Sequence, residues 1–289
     1  SGQVYVPEVN YLLMFSCVLL TLTFRRSGNL AAAYGIAVMG TMVITTILLY
    51  SVERRIWKWR ALPALALAAL FMAIDLPFLA ANLVKVLSGG WVPLLAALFI
   101  YVVLSTWKRG RTAVRRQLEG ASVPLDYFLP RLAENPPTRV PGTAVFMTST
   151  MGVTPAILLH HFKHNKVLHE RVILLTIVTE GIPEVAKRDR VKIRELSHGF
   201  CELIAHYGFM QTPNVPNVLR RAAEQGLAVE PDAVSYFLGR ETILTTGRTG
   251  MAKWRKNLFV YLARNARPAN AFFRIPPNRV IELGAQVEI

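Results

Sequence analysis

The chain has 289 residues with 33 basic and 18 acidic side chains, a net charge of +15, yet 53% of it is hydrophobic and its mean hydropathy is +0.35. The charge is unevenly spread: only Glu8, Arg25, Arg26, Glu53, Arg54, Arg55, Lys58, Arg60, Asp75 and Lys85 fall in residues 1–107. Much of the basic excess therefore flanks apolar stretches, which excludes reading it as a nucleic-acid footprint. The first part reads as membrane and the rest as a soluble domain large enough for its own core.

Four apolar segments come first. Val9–Phe24 is short for a crossing unless its helix begins nearer Tyr5. Ser27–Val52 follows, and its first 24 positions, Ser27–Tyr50, carry no charge. Ala31 and Gly35 are four apart, as are Ala33 and Ala37, and Gly40 follows. Small residues at that spacing let helix backbones approach closely in lipid, where packing drives association. Ala61–Val84 is interrupted by Asp75 and Pro77, and Val86–Trp107 opens with Gly89, Gly90 and Pro93. Spans are expected over about 7–24, 28–52, 61–83 and 90–107, making a membrane domain of residues 1–107.

Two basic clusters orient these spans. Glu53–Arg60 (ERRIWKWR) joins the second and third, and Lys108, Arg109, Arg111, Arg115 and Arg116 follow the fourth. Two crossings separate the clusters, so both lie on one side, and the positive-inside rule makes it the cytoplasm. Arg25 and Arg26 fall outside, against the rule, and are outweighed. The trytophans of the first cluster, Trp57 and Trp59, suit the headgroup level.

Residues 108–140 read as a basic juxtamembrane linker punctuated by Pro124, Pro130, Pro136 and Pro137, with room for a short helix in Leu118 to Leu132. Residues 141–289 read as a cytoplasmic α/β (α+β) domain with a mixed sheet. Thr143–Thr148 is an expected strand and Thr154–Asn165 a helix with Pro155 at its first position. Val172–Val178 is almost wholly apolar, as a strand buried on both faces is. Arg190–Leu196 and Phe200–Tyr207 are expected to pair across Ser197–Gly199. Val215–Gln225 reads as a helix stopped by Gly226, and Val234–Leu238 as a strand. Met251–Asn265 reads as a basic amphipathic helix with Trp254, Leu258, Tyr261 and Leu262 on its apolar side, its basic residues reaching Arg267. Lying on anionic lipid and packing on the sheet are both open to it. A last strand, Arg279–Ile289, completes the order β-α-β-β-β-α-β-α-β. Cys17 and Cys201 are placed too differently to pair, which suits a reducing cytoplasm. The opening SGQVYVPEVN shows neither a signal peptide nor an initiator Met, so the chain is expected to lack an upstream part.

NLAAAYGIAV at 29–38, SGGWVPL at 88–94, PGTAVFM at 141–147, KHNKVLHERVILLT at 163–176 and IPPNRVIELGAQVEI at 275–289 resemble the bacterial Kup potassium-uptake proteins of the KUP/HAK/KT family. The resemblance runs the length of the chain. It implies an APC-type, LeuT-like transporter of about twelve helices, of which this chain holds the last four and the cytoplasmic domain. It implies low-affinity secondary active uptake of K⁺ across the plasma (inner) membrane, as K⁺/H⁺ symport, with no other cofactor. The absent upstream helices would line most of the ion site. Val84 and Arg25–Arg26 stand where close relatives often carry more polar or acidic residues.

Asp75 is the sharpest single residue. An intramembrane carboxylate is costly without a partner, and Pro77 frees a backbone carbonyl nearby. It can bind a cation in transit or carry a proton; the competing reading ends the segment near Leu76 and leaves Asp75 at the outer interface near Lys85. Tyr34 can offer a phenol oxygen to a dehydrated cation or to a neighbouring helix. Ser27, Asn29, Thr41, Thr45 and Thr46 offer further oxygens, which K⁺ favours in number. Asp75, Tyr34, Asn29 and Thr41 are the ion-pathway candidates, and Gly89, Gly90, Trp91 and Pro93 read as a structural turn. His160 and His164, one turn apart, have the spacing to clasp zinc, but no HExxH glutamate follows and no metal site is expected. No P-loop, GxGxxG or nucleophile elbow is visible, so no catalytic residue is assigned. Three readings result: a secondary transporter, a membrane-anchored enzyme lacking any convergent catalytic set, and a regulatory or dimerisation module. Expected partners are lipid, the upstream helices and a second copy joined through the cytoplasmic domain.

Overall fold

The computed structural model describes residues 6–120, 122–247, 250–266 and 269–289. It divides into two compact units, the first ending at Ser105 and the second beginning at Thr106. Each is described by itself.

The first unit contains α1 (Pro7–Phe24), α2 (Ser27–Arg55), α3 (Ala61–Leu83) and the start of α4 (Trp91–Gly120). Among the described residues these four helices are long and apolar enough to cross a membrane. α2 and α3 form a hairpin closed by Ile56–Arg60, where Arg54 Nη1 donates to the Trp59 carbonyl at 2.6 Å. Their outer faces are apolar and exposed, with Leu62 at 79% and Phe99 of α4 at 69%. Side chains of that kind are placed for lipid or for further helices rather than for water.

Two boundaries differ from the expectation. α2 runs three residues past Val52, so Glu53 is inside the helix rather than in the connecting loop. α4 does not stop at Trp107. It continues to Gly120 because Thr106, Gly110 and Val114 form a buried stripe of small side chains at i, i+4, i+8, while the basic residues lie outside the stripe. Residues 108–140 are therefore largely helical, in α4 and α5. α5 (Leu125–Glu134) buries Leu125, Phe128, Leu129 and Leu132, an i, i+3, i+4, i+7 pattern, with Pro124 at its N-cap and Pro130 inside it. The prolines mark a helix start and a tolerated interruption, not an unstructured stretch.

The second unit is built on β2 (Thr138–Thr148), β4 (Val167–Glu180), β5 (Val191–Glu195), β6 (Phe200–Gly208), β7 (Ser235–Leu244) and β8 (Val280–Glu288), in the order β5-β6-β4-β2-β7-β8. All neighbours are parallel except β5 and β6, which pair antiparallel as the hairpin expectation required. A small second sheet joins β1 (Val123–Pro124) to β3 (Val153–Thr154). The helices are α6 (Ala156–Asn165), α7 (Val215–Glu224), α8 (Lys253–Arg264) and the short α9 (Ala269–Phe272).

Alternate residues of the central strands point to opposite faces. Val145, Ile173, Leu175 and Leu203 pack with Val218, Leu219 and Ala222 of α7. Phe146, Val172, Leu174 and Phe200 pack on the other face with α5 and with Ile157 and Leu158 of α6. Covering both faces is what an apolar strand such as β4 demands, and it makes the unit a three-layer α/β domain. A third cluster joins Val114 of α4, Phe259 of α8 and Val287 and Ile289 at the chain end.

α8 is a correction. Of its expected apolar side, Leu258 and Leu262 are half-buried but Trp254 is 56% and Tyr261 65% exposed, while Lys256 and Phe259 are buried. Lys256 Nζ donates to the carbonyl of Gly247 at 2.5 Å and to Ile289 O at 2.8 Å. The ammonium is thus held by two main-chain oxygens, one after β7 and one after β8, which lets a lysine occupy the buried face. Arg267 lies outside the described residues.

Candidate ion-pathway residues

Asp75 lies within α3, not at its end; the helix continues through Pro77 to Leu83. Its side chain faces α2 and is 4% exposed. Thr46 Oγ1 of α2 donates to Asp75 Oδ2 at 2.9 Å. One hydroxyl is a thin satisfaction for a carboxylate, which has about four acceptor sites. The segment does not end near Leu76, and the Asp75 side chain packs against α2.

The other pathway candidates are not gathered around it. Tyr34 is 72% exposed. The hydroxyl of Thr41 is turned to its own helix, donating to the Ala37 carbonyl at 2.8 Å. Asn29 is half-buried, and its carbonyl lies against the Gly89 turn. The turn itself is tight. Gly89 has φ 140°, and a Cβ there would come within 2.5 Å of the Asn29 carbonyl oxygen. A Cβ on Gly90 would meet Ile36 Cδ1 at 2.0 Å. Only glycine fits both positions without movement. Trp91 and Pro93 lie in the first turn of α4, with Trp91 46% exposed.

Sequence reasoning passed over Glu53. It is fully buried, and neither carboxylate oxygen has a hydrogen-bond partner among the described residues. It lies seven residues after Thr46, about two turns, on the same side of α2. Thr46, Glu53 and Asp75 thus share the α2–α3 interface of an otherwise apolar hairpin. The available signal was that i, i+7 spacing; the neighbouring arginines masked it. Gly35 of the small-residue stripe packs on Asn82 of α3, with a Cβ there 2.3 Å from Asn82 Oδ1, whereas Gly40 faces open space.

In the second unit, the His160 and His164 rings lie with centroids 5.8 Å apart, tilted at 41° to one another. No group of three or more His, Cys, Asp or Glu able to hold a metal occurs among the described residues. Burial and the proximity of His169 push His161 below the usual histidine range, against an opposing pull from the Val167 backbone. Burial alone depresses His169. The Cys201 thiol is pushed up to about 12, chiefly by burial, with Glu195 adding to it.

Four apolar helices of spanning length followed by an α/β domain define a multi-pass membrane protein. Residues 1–112 match the family model for the K⁺ potassium transporter integral membrane domain, and residues 141–289 that for the K⁺ potassium transporter C-terminal domain. The chain belongs to the Kup potassium transporter family. It is 53% identical over 293 residues to a probable potassium transport system protein Kup of Anaeromyxobacter sp. (strain Fw109-5). It is 50% identical over 288 residues to one from Myxococcus xanthus (strain DK1622) and 47% over 289 residues to one from Geobacter sulfurreducens. Each match covers 100% of this chain and 44–46% of the relative, so the chain spans a little under half the length of these relatives.

Proposed function

We propose that this chain forms the C-terminal part of a secondary transporter that takes up K⁺, coupled to H⁺, across the plasma membrane. Family membership supports the ion. The buried Asp75–Thr46 pair is the observation that carries the mechanism, because a carboxylate is kept inside a membrane helix only where it has a partner or a task. The membrane potential supplies about 2.3 kcal/mol per charge at 100 mV, and no covalent step is needed. The helices upstream of this chain complete the pathway. The basic clusters at Arg54–Arg60 and Lys108–Arg116 support a cytoplasmic C-terminal domain.

The test is Asp75→Asn in the full-length transporter, with K⁺ uptake followed against pH in cells lacking their own uptake systems. We expect uptake to fall at least tenfold or to lose its pH dependence. Unchanged uptake with an unchanged pH profile would remove Asp75 from the mechanism.

A second reading, a dimerisation role for the C-terminal unit, is favoured by Ile182, Phe209 and Met210. They lie together and are exposed by 52%, 60% and 47%, with Phe209 N–H donating to the Ile182 carbonyl at 3.0 Å. Sedimentation of the purified chain at the mass of one copy would remove it.

A further inference from the structure

The second unit contains a cavity of about 850 Å³. Its position follows from the strand order. The chain begins the parallel sheet at β2, adds β4 and β6 on one side, then returns to add β7 and β8 on the other. Loops leaving β2 and β7 therefore diverge, and in open α/β sheets the crevice beyond the carboxyl ends at such a point is where ligands bind. The register places the cavity there. The β2–β7 ladder ends at Phe146 and Phe237, and Met147, Thr148, Leu238 and Gly239 beyond it line the cavity.

We propose that this cavity binds a phosphate-bearing ligand with an aliphatic body. One wall is the basic part of α4, where Lys108, Arg111 and Arg115 recur at i, i+3, i+7 with Thr112 between them. Arg111 is paired with Glu241 at 2.9 Å, and Arg115 more loosely with Glu119 at 3.7 Å. Lys108 has no carboxylate partner among the described residues. The lining also includes the turn Thr148–Thr150, where the Thr148 hydroxyl donates to the Thr150 carbonyl, and the first residues of α6, whose N-cap Pro155 has no polar side chain to cap the helix. Cations, hydroxyls and a helix start suit a phosphate head. The rest is aliphatic, with Leu118, Val153, Ile157, Leu238 and Leu283. A bare anion would leave that surface wet, and a neutral hydrocarbon would leave Lys108 without a counter-charge. The volume falls within the roughly 300–1,000 Å³ of small-molecule pockets. Such a ligand is either a bilayer phospholipid or a soluble alkyl phosphate.

The experiment uses the full 289-residue chain in dodecyl maltoside micelles, which carry no phosphate, titrated calorimetrically with dioctanoyl phosphatidylglycerol, hexyl phosphate, inorganic phosphate and dioctanoylglycerol. We expect one or both of the first two to bind at least tenfold more tightly than the last two. Tighter phosphatidylglycerol assigns the site to lipid; equal or tighter hexyl phosphate assigns it to a soluble compound. Gly284 also lines the cavity, and a Cβ there meets no atom within 4 Å, so Gly284→Leu fills open space. It should lower affinity at least tenfold with an unchanged melting temperature. Lys108→Gln with Arg115→Gln, both exposed, should lower affinity and weaken its salt dependence. The proposal is overturned if neither phosphate-bearing amphiphile binds. It is also overturned if inorganic phosphate or dioctanoylglycerol binds equally well, or if both variants bind like the parent chain.

Discussion

Thr46 was one of five helix oxygens the sequence offered and was not among the ion-pathway candidates, yet the α2–α3 packing brings it to Asp75. Its hydroxyl is the hydrogen-bond donor to Asp75 within the hairpin. Thr46→Val keeps the shape and removes that donor, leaving a buried carboxylate short of a partner. We expect a loss of about 1–3 kcal/mol, read as a lower melting temperature in nanodiscs, with Thr46→Ser restoring most of it. A Thr46→Val protein as stable as the parent would show that the bond contributes nothing. Asp75 itself was legible because an acid in an apolar run is conspicuous on inspection. Glu53 was not, because its neighbours Arg54 and Arg55 made it look like part of a solvated cluster.

Helix starts and stops were mostly local. Gly226 at φ 97° follows α7, and Asn214 caps it by accepting from the Asn217 N–H at 3.0 Å. The turn before α4 was also legible, since paired glycines before a Trp and a Pro leave few alternatives. Its glycine requirement was not, because the atom that excludes a side chain belongs to Asn29, sixty residues earlier. Gly89→Ala therefore combines an unfavourable φ with a backbone clash and is expected to cost about 1–3 kcal/mol. Gly40→Ala, at a helix position with nothing within 4 Å, should be neutral or stabilising. Comparing the two melting temperatures checks this; equal effects would mean that the turn relaxes freely. The extent of α4 and the buried lysine of α8 were missed for one reason. Charge was read as exposure, whereas Gly110 admits the Phe259 ring and Lys256 finds the main-chain oxygens of Gly247 and Ile289.

At the scale of the molecule, the α/β unit carries a built-in acid sensitivity. His161 and His169 are both held below the ordinary histidine value of 6.5 in the folded state, so the unfolded chain binds more protons as pH falls past that value. The stabilisation is fully present above about pH 6.5 and is lost as pH drops toward the folded-state values. Melting temperature measured between pH 8 and pH 5 should fall below that point, and His161→Phe, which keeps a ring against Phe146 and Phe237, should flatten the fall. A slope unaltered by the substitution would assign the acid sensitivity to other groups.

Hydropathy, strand alternation and the change of period along the chain were enough to divide it into spanning helices and an α/β domain, and to order the domain's elements, because each of these signals is local. Which strands adjoin, which acids meet a hydroxyl, and where the sheet opens into a cavity depended on contacts between residues far apart in the chain. No spacing rule reaches that far, so only the packed structure decided them.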